Sequence, residues 1–386
     1  MVWPMRPLEL YVHIPFCIRK CQYCDFLSGP SSKEERREYV TELCQKIRTY
    51  KKLAGSYHVV SIFIGGGTPS ILEAEQITVI FEAIRDTFVV DEGAEITVEM
   101  NPGTVTEEKL TAYRQAGINR LSIGLQSTKD EELRILGRIH TYEEFLDTYR
   151  LAREKGFVNI NVDLMSAIPG QTVEEWVDTL QKAAELRPEH ISAYSLIIEE
   201  GTPFYETYVK GGAGDESSGK AAKEREEADL CAGRLPDEEE ERQMYRQTKE
   251  ILKEYGYHRY EISNYALPGY ECRHNLGYWN RTEYLGIGTG AASLMDNKRW
   301  DYVEEPMVLS MKEQMEEYMF LGLRKTQGVS KTKFADEFGR GMDTVYGEVL
   351  EKMYGMRLME ETDDFVRLTD RGIDVSNTVM CEFLLE

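Results

Sequence analysis

The chain is short of several features that define large protein classes. Its 386 residues contain no apolar run near the roughly 20 residues that a membrane-spanning helix needs. The opening stretch, MVWPMRPLELY, has no apolar segment of the kind a secretory signal carries. The expectation is a cytoplasmic protein without a membrane span. Positive charge is scarce: 46 lysines and arginines face 68 aspartates and glutamates, for a formal net charge of −22. That field repels nucleic acid and anionic membranes, so no nucleic-acid partner is expected. The seven cysteines are an odd number, which argues for a reduced compartment and against a disulfide framework. There is no second C-x2-C pair and no His-x3-5-His pair, so a structural zinc site is poorly supplied.

What is present is concentrated. Three cysteines fall within HIPFCIRKCQYCDF, residues 13–26, as Cys17, Cys21 and Cys24, spaced C-x3-C-x2-C. Thiolates are soft ligands that suit zinc or iron–sulfur centres. Three of them can hold three irons of a [4Fe–4S] cube and leave the fourth iron open. A Cys3His zinc site, with His13 as the fourth ligand, is the competing reading. Cys44 and Cys381 fall in helical stretches and read as packing residues, and Cys231 as an incidental thiol.

Strand-like runs and amphipathic stretches alternate over the first 200 residues. The strand candidates are 10–14, 59–64, 95–100, 120–125, 159–165 and 190–197. Ile77, Ile80, Phe81, Ile84 and Phe88 share one helical face after the second run. Thr172 and Glu175 have capping-box spacing ahead of EEWVDTLQKAAEL. Strands alternating with helices imply a parallel sheet with right-handed crossovers. Six such units fall short of the eight that close a barrel of ~250 residues. The fold class is therefore α/β: a partial (β/α)6 barrel, a C-terminal α+β extension and a small winged-helix-like module. The expected divisions are 1–205 for the barrel, 206–241 for an acidic flexible insertion, 242–305 for the extension and 306–386 for the module. Residues 211–241 carry four basic and eleven acidic residues with few apolar anchors. In the module, a hairpin turning at Asp363-Asp364 has acidic flanks, which favours packing or protein contact over DNA.

Polar side chains mark the ends of the strand candidates: Glu99 and Asn101 at the third, Gln126 at the fourth and Asp163 within the fifth. Such positions converge on the top of a barrel, where sites of this architecture lie. IGGGTPS, residues 64–70, follows the second strand with glycines that let the backbone come close to a ligand. RHNLGYWN, residues 273–280, has the form H-N-x-x-Y-W, with His274, Asn275, Tyr278 and Trp279. A neutral imidazole can ligate a metal, and the aromatics offer flat apolar surface. A folded loop with a satisfied histidine is the alternative.

The cysteine spacing, with an aromatic before the last cysteine, resembles the radical S-adenosylmethionine (SAM) superfamily. The longer stretch YVHIPFCIRKCQYCDF, with EISNYALPGYECRHNLGYW and YLGIGTGAAS following in order, is similar to the family of oxygen-independent coproporphyrinogen oxidase and the HemW-type heme chaperones. The likeness covers nearly the whole chain except the insertion. It implies a [4Fe–4S] cluster on Cys17, Cys21 and Cys24, with SAM on the fourth iron. It implies SAM contacts from Gly66, Gly67 and Thr68 at the methionine end, from Glu99, Gln126 and Arg138, and from Asp163 at the ribose. Tyr11, Tyr23 and the apolar Ile197 and Ala292 complete that set. The chemistry implied is one-electron reductive cleavage of SAM, which would require an electron donor. Two features point away from the oxidase. The oxidases continue the motif as C-x-C, where this chain has Phe26, and they carry a longer segment ahead of the cluster than the 16 residues before Cys17. The family motif around His274 implies heme, with His274 as iron ligand and Cys272 as a second ligand or a buried structural thiol. The expectation is a heme chaperone that serves acceptor apoproteins, with SAM and the cluster in structural or gating roles, homodimerisation among them. A radical enzyme acting on a porphyrinogen or another substrate is the runner-up.

Overall fold

Six apolar runs in the first half of the chain pair edge to edge in the computed structural model, which describes residues 5–210, 233–301 and 305–385. They form β1 (Arg6–Ile14), β2 (Tyr57–Gly66), β3 (Val89–Met100), β4 (Arg120–Gln126), β5 (Ile160–Ser166) and β6 (His190–Ser195). Each is parallel to the next. Helices α1 (Lys33–Thr49), α2 (Ala74–Thr87), α3 (Glu107–Gln115), α4 (Tyr142–Glu154) and α5 (Val173–Glu185) lie in the crossovers. The α1, α4 and α5 N-termini are closed by capping boxes, from Ser32 with Glu35, Thr141 with Glu144 and Thr172 with Glu175.

Side chains alternate between the two faces of each strand. Leu8, Leu10, Val12, Ile62, Ile64, Val98, Leu121, Ile123, Val162, Leu164 and Ile191 meet the helices in one apolar core. The intervening positions face the concave side and are largely polar. Glu9, His13, Ser61, Glu95, Thr97, Arg120, Ser122, Asn161, His190 and Ser192 are all buried there. The sheet thus has an oily exterior under helices and a polar interior.

The extension lengthens the sheet at both margins. Beyond β6 lie the antiparallel β8 (Asn264–Ala266) and β7 (His258–Arg259). Beyond β1 lies the parallel β9 (Tyr284–Ile287), then β10 (Ser293–Met295), β11 (Lys298–Trp300) and β12 (Met307–Val308). The resulting order is β12-β11-β10-β9-β1-β2-β3-β4-β5-β6-β8-β7, with unjoined ends, so the barrel is open. Between β8 and β9 the chain crosses from one margin to the other through α7 (Arg273–Trp279).

Three local expectations change. Residues 238–241 do not belong to a flexible insertion: they open α6 (Glu238–Glu254), and Asp237 caps it through Glu239 N and Glu240 N. Acidic residues in a first helical turn complement the helix dipole, which accounts for the charge run there. Cys231 and the remainder of the acidic stretch, 211–232, lie outside the described residues. The run HRYEIS is strand only at His258–Arg259, because the Glu261 carboxylate accepts from Ser263 N at 2.8 Å and Asn264 Nδ2 at 2.6 Å and turns the chain. Cys44 is buried as expected, whereas Cys381 ends its helix exposed and does not pack.

The C-terminal module has its own core around Phe334, Tyr346, Leu350, Val366 and Phe383. It comprises α8 (Met311–Gly322), α9 (Lys331–Phe338), α10 (Met342–Gly355) and the antiparallel strands β13 (Val329–Ser330), β14 (Met359–Thr362) and β15 (Phe365–Leu368). The buried Glu317 of α8 pairs with Arg281 at 3.3 Å and Arg299 at 2.9 Å and ties the module to the extension.

Candidate cluster and ligand site

The three cysteines sit on the loop that leaves β1, each half-buried and free. Their neighbours come from other strands. Thr68 Oγ1 donates to Cys17 Sγ at 3.6 Å, and Arg138 Nη1 to Cys21 Sγ at 3.8 Å. Burial pushes the Cys24 thiol up. Among the described residues no three His, Cys, Asp or Glu side chains stand close enough to hold a single metal ion. His13 is engaged at both nitrogens, by Tyr11 Oη at 3.0 Å and the Leu27 carbonyl at 3.1 Å. His13 therefore has neither ring nitrogen free to join the cysteines as a fourth ligand in this arrangement.

Above the sheet, a cavity of about 360 Å³ opens among these cysteines. Tyr23, Gly66, Gly67, Thr68, Glu99, Gln126, Arg138 and Asp163 line it together with Asn101, Ser122 and Tyr194. Glycine is required at two of these points. Gly66 has φ +113°, and a Cβ on Gly67 would lie 2.6 Å from the Phe16 carbonyl and 2.9 Å from Cys17 Sγ. Gln126 takes φ 70° without being glycine, a strained backbone of the kind that gathers at functional sites. Arg138 is an interior side chain, with Nη2 on Asn101 Oδ1 at 2.7 Å and on the Gly124 carbonyl at 2.8 Å. Glu99 accepts from Gly66 N at 3.1 Å, and burial pushes its carboxyl up to about 8. Asp163 accepts from Ser122 at 3.0 Å and Asn161 at 2.7 Å, yet burial still raises it. Thiols, donors and carboxyls thus converge in one cradle that can take a cluster with an amino-acid ligand.

Three expected SAM contacts do not line this cavity. Tyr11 packs against Phe63, ring centroids 6.4 Å apart, deeper in the barrel. Ile197 lies just past β6 and is 69% exposed. Ala292 packs beside Tyr284 and Leu294 near the opposite margin.

The H-N-x-x-Y-W residues form a different setting from an open porphyrin surface. α7 lies against the inner face of β2. His274 is 1% exposed and stacks on Phe63, centroids 5.2 Å apart. Its Nδ1 bonds Ser61 Oγ at 2.8 Å and its Nε2 meets Tyr278 Oη at 3.2 Å. Burial, reinforced by Arg120, lowers its pKa to about 3, so the ring is neutral. Tyr278 also meets Tyr284 edge-on at 4.5 Å. Trp279 turns toward the module, under the Arg324 guanidinium at 4.4 Å. Cys272 is buried and donates to Glu95 Oε1 at 3.5 Å, as a structural thiol does. In this arrangement His274 presents no free nitrogen to an iron. A second cavity of about 210 Å³ lies beside it, below the cluster cavity. It shares Glu99, Ser122, Asp163 and Tyr194 with that cavity.

Arg120, Ser61, Asn161 and Tyr194 were not singled out by the sequence reading. Their signal is a period-two set of polar residues inside otherwise apolar strands, most visible in the arginine that opens RLSIGL.

A chain with a three-cysteine loop at the mouth of an open parallel (β/α)6 barrel is a radical SAM protein, and the Radical SAM superfamily model matches residues 11–183. The HemN C-terminal domain model matches 309–375. The chain belongs to the HemW heme chaperone family. It is 34% identical to the heme chaperone HemW of Lactococcus lactis subsp. lactis, covering 99% of this chain and 98% of that one. It is 36% identical to the heme chaperone HemW of Bacillus subtilis, covering 97% and 99%. Among solved structures, the Escherichia coli coproporphyrinogen III oxidase HemN, a radical SAM enzyme, shares the fold with a TM-score of 0.81 at 22% identity, over 99% of this chain and 91% of that one. Among the described residues, no helix is long and apolar enough to cross a membrane.

Proposed function

We propose that this chain binds heme and hands it to acceptor apoproteins. In this reading Cys17, Cys21 and Cys24 hold a [4Fe–4S] cluster and the cavity beside them takes SAM. The observation that carries the reading is the end-to-end match to heme chaperones named HemW, at 34% and 36% identity, by a chain that carries His274, Asn275, Tyr278 and Trp279 in one motif. A bound cluster supplies low-potential electron transfer, tuned by hydrogen bonds to its sulfurs. The chain's own part is to donate to Cys17 and Cys21 from Thr68 and Arg138. In this reading Arg138 and Gly66–Thr68 take the methionine end of SAM, and Asp163 the ribose.

The heme ligand is proposed to be His274, and reaching it has a structural cost. A 210 Å³ cavity is below the roughly 300 Å³ at which ordinary ligand sites begin, so no macrocycle enters beside His274. For His274 to meet iron, α7 must leave the inner face of β2 and break the bonds to Ser61 and Tyr278. Anaerobic heme titration of the cluster-reconstituted protein tests the reading. Saturable binding near one heme per chain supports it, and no saturable binding overturns it. Loss of binding in His274→Ala places the ligand, whereas unchanged affinity removes His274 and leaves the chaperone reading intact.

The second reading is a radical SAM enzyme acting on a porphyrinogen or another substrate, with an electron donor as partner. The cavity beneath the proposed SAM site favours it for a substrate smaller than a macrocycle. Substrate-dependent formation of 5′-deoxyadenosine would support it.

A further inference from the structure

We propose that the lower cavity is a binding site for a small oxyanion, in the first place an organic carboxylate, held by Arg120. The inference does not depend on heme binding.

Arg120 opens β4 and points into the barrel, where it is 2% exposed. Its enclosed Nε has no hydrogen-bond partner among the described residues. A buried guanidinium nitrogen left unpaired is costly, and native structures rarely leave one so. The nearest acids do not meet the need. Glu95 spends Oε1 on His274 N at 3.1 Å and on Cys272. Asp163 is taken by Ser122 and Asn161. Glu99 is turned to Gly66 N. Arg120 therefore lines the cavity without a hydrogen bond to any of these acids.

The rest of the wall defines the occupant. Phe63, Tyr11 and Tyr278 give an aromatic side, while Asn161, Ser192 and Asn275 give a polar one. His274 is bonded at both ring nitrogens, so it acts as wall rather than counter-ion. The volume of about 210 Å³ suits a metabolite smaller than a drug-sized ligand. A compact carboxylic acid fits this shape, with its carboxylate forked onto Arg120 and its body against the aromatic side. Its far end would reach Asp163 and Tyr194, which also border the cluster cavity. Inorganic phosphate shares the anionic chemistry but offers nothing to the aromatic side.

The test uses the full-length, cluster-reconstituted protein. Acetate, benzoate, succinate and inorganic phosphate are titrated by calorimetry, with thermal unfolding followed in parallel. Saturable binding of a carboxylate, stronger than that of phosphate, is the expected result. Arg120→Met should weaken it at least tenfold. Phe63→Trp fills the cavity while keeping Arg120, and should weaken it as strongly; this variant decides the matter if Arg120→Met does not fold. Preference for phosphate would overturn the carboxylate assignment and keep the oxyanion site. Binding of none of the four, or equal binding by wild type and Phe63→Trp, would overturn the site itself.

Discussion

At the scale of single residues, the barrel interior is governed by which polar groups are partnered. Tyr278→Phe removes the contact at His274 Nε2 and leaves the imidazole in place. If His274 is the heme ligand, freeing that nitrogen should hold or raise heme affinity; a merely structural role would lower it, as read by the same titration. Glu9 gives a pH prediction. Its Oε2 lacks a hydrogen-bond partner among the described residues and stands 4.0 Å from His274 Nδ1, and burial pushes the carboxyl up to about 9 from an ordinary 4.5. The unfolded chain ionises this group above 4.5 while the folded chain keeps its proton to about 9, so stability falls as pH rises through that window. Between pH 7 and 9 the wild-type melting temperature should fall more steeply than that of Glu9→Gln, and parallel slopes would contradict this. The opposite limb belongs to His140, lowered to about 3 from 6.5 by burial, with Arg138 assisting: the unfolded chain binds the proton first, so its contribution is lost as pH falls below 6.5. None of these environments could be read from the sequence, because Ser61 and His274 are 213 residues apart and meet only in the fold.

At the scale of elements, local chemistry sets the supports of the site. Gly67→Ala would drive a Cβ into the Phe16 carbonyl, a backbone atom with little room to move. Overpacking of this kind costs about 1–3 kcal/mol. The variant should reconstitute with less iron per chain than wild type; full iron content would show that the loop can relax. On the outer face, Trp176 of α5 is fully buried and donates to Met244 O at 3.2 Å and Thr248 Oγ1 at 2.9 Å of α6. Trp176→Ala should cost roughly 3–5 kcal/mol in denaturant unfolding. These elements were largely legible in the sequence. All six strand runs and the Thr172 capping box form where apolar pattern and spacing place them. Illegible was the side of the sheet each polar residue faces across the barrel. Tyr11, Ile197 and Ala292 show this: motif order set them at the cavity, and only the three-dimensional course of the chain sets them apart from it. The acidic run at 238–241 misled for a local reason, since composition alone does not separate a solvated loop from a helix N-terminus.

At the scale of the whole molecule, one feature joins barrel and extension. The sheet is open, and the chain crosses between its two margins through α7, which carries the H-N-x-x-Y-W motif into the interior. The helix lines the lower cavity through His274, Asn275 and Tyr278, and that cavity shares Glu99, Ser122, Asp163 and Tyr194 with the cavity beside the cysteines. The measurement that tests the account most directly is anaerobic heme titration of the cluster-reconstituted chain, followed in the Soret band, with His274→Ala alongside. A saturable shift near one heme per chain that the substitution abolishes is the expected result. A wild-type chain with no saturable Soret shift would contradict it and turn attention to a substrate for the radical enzyme.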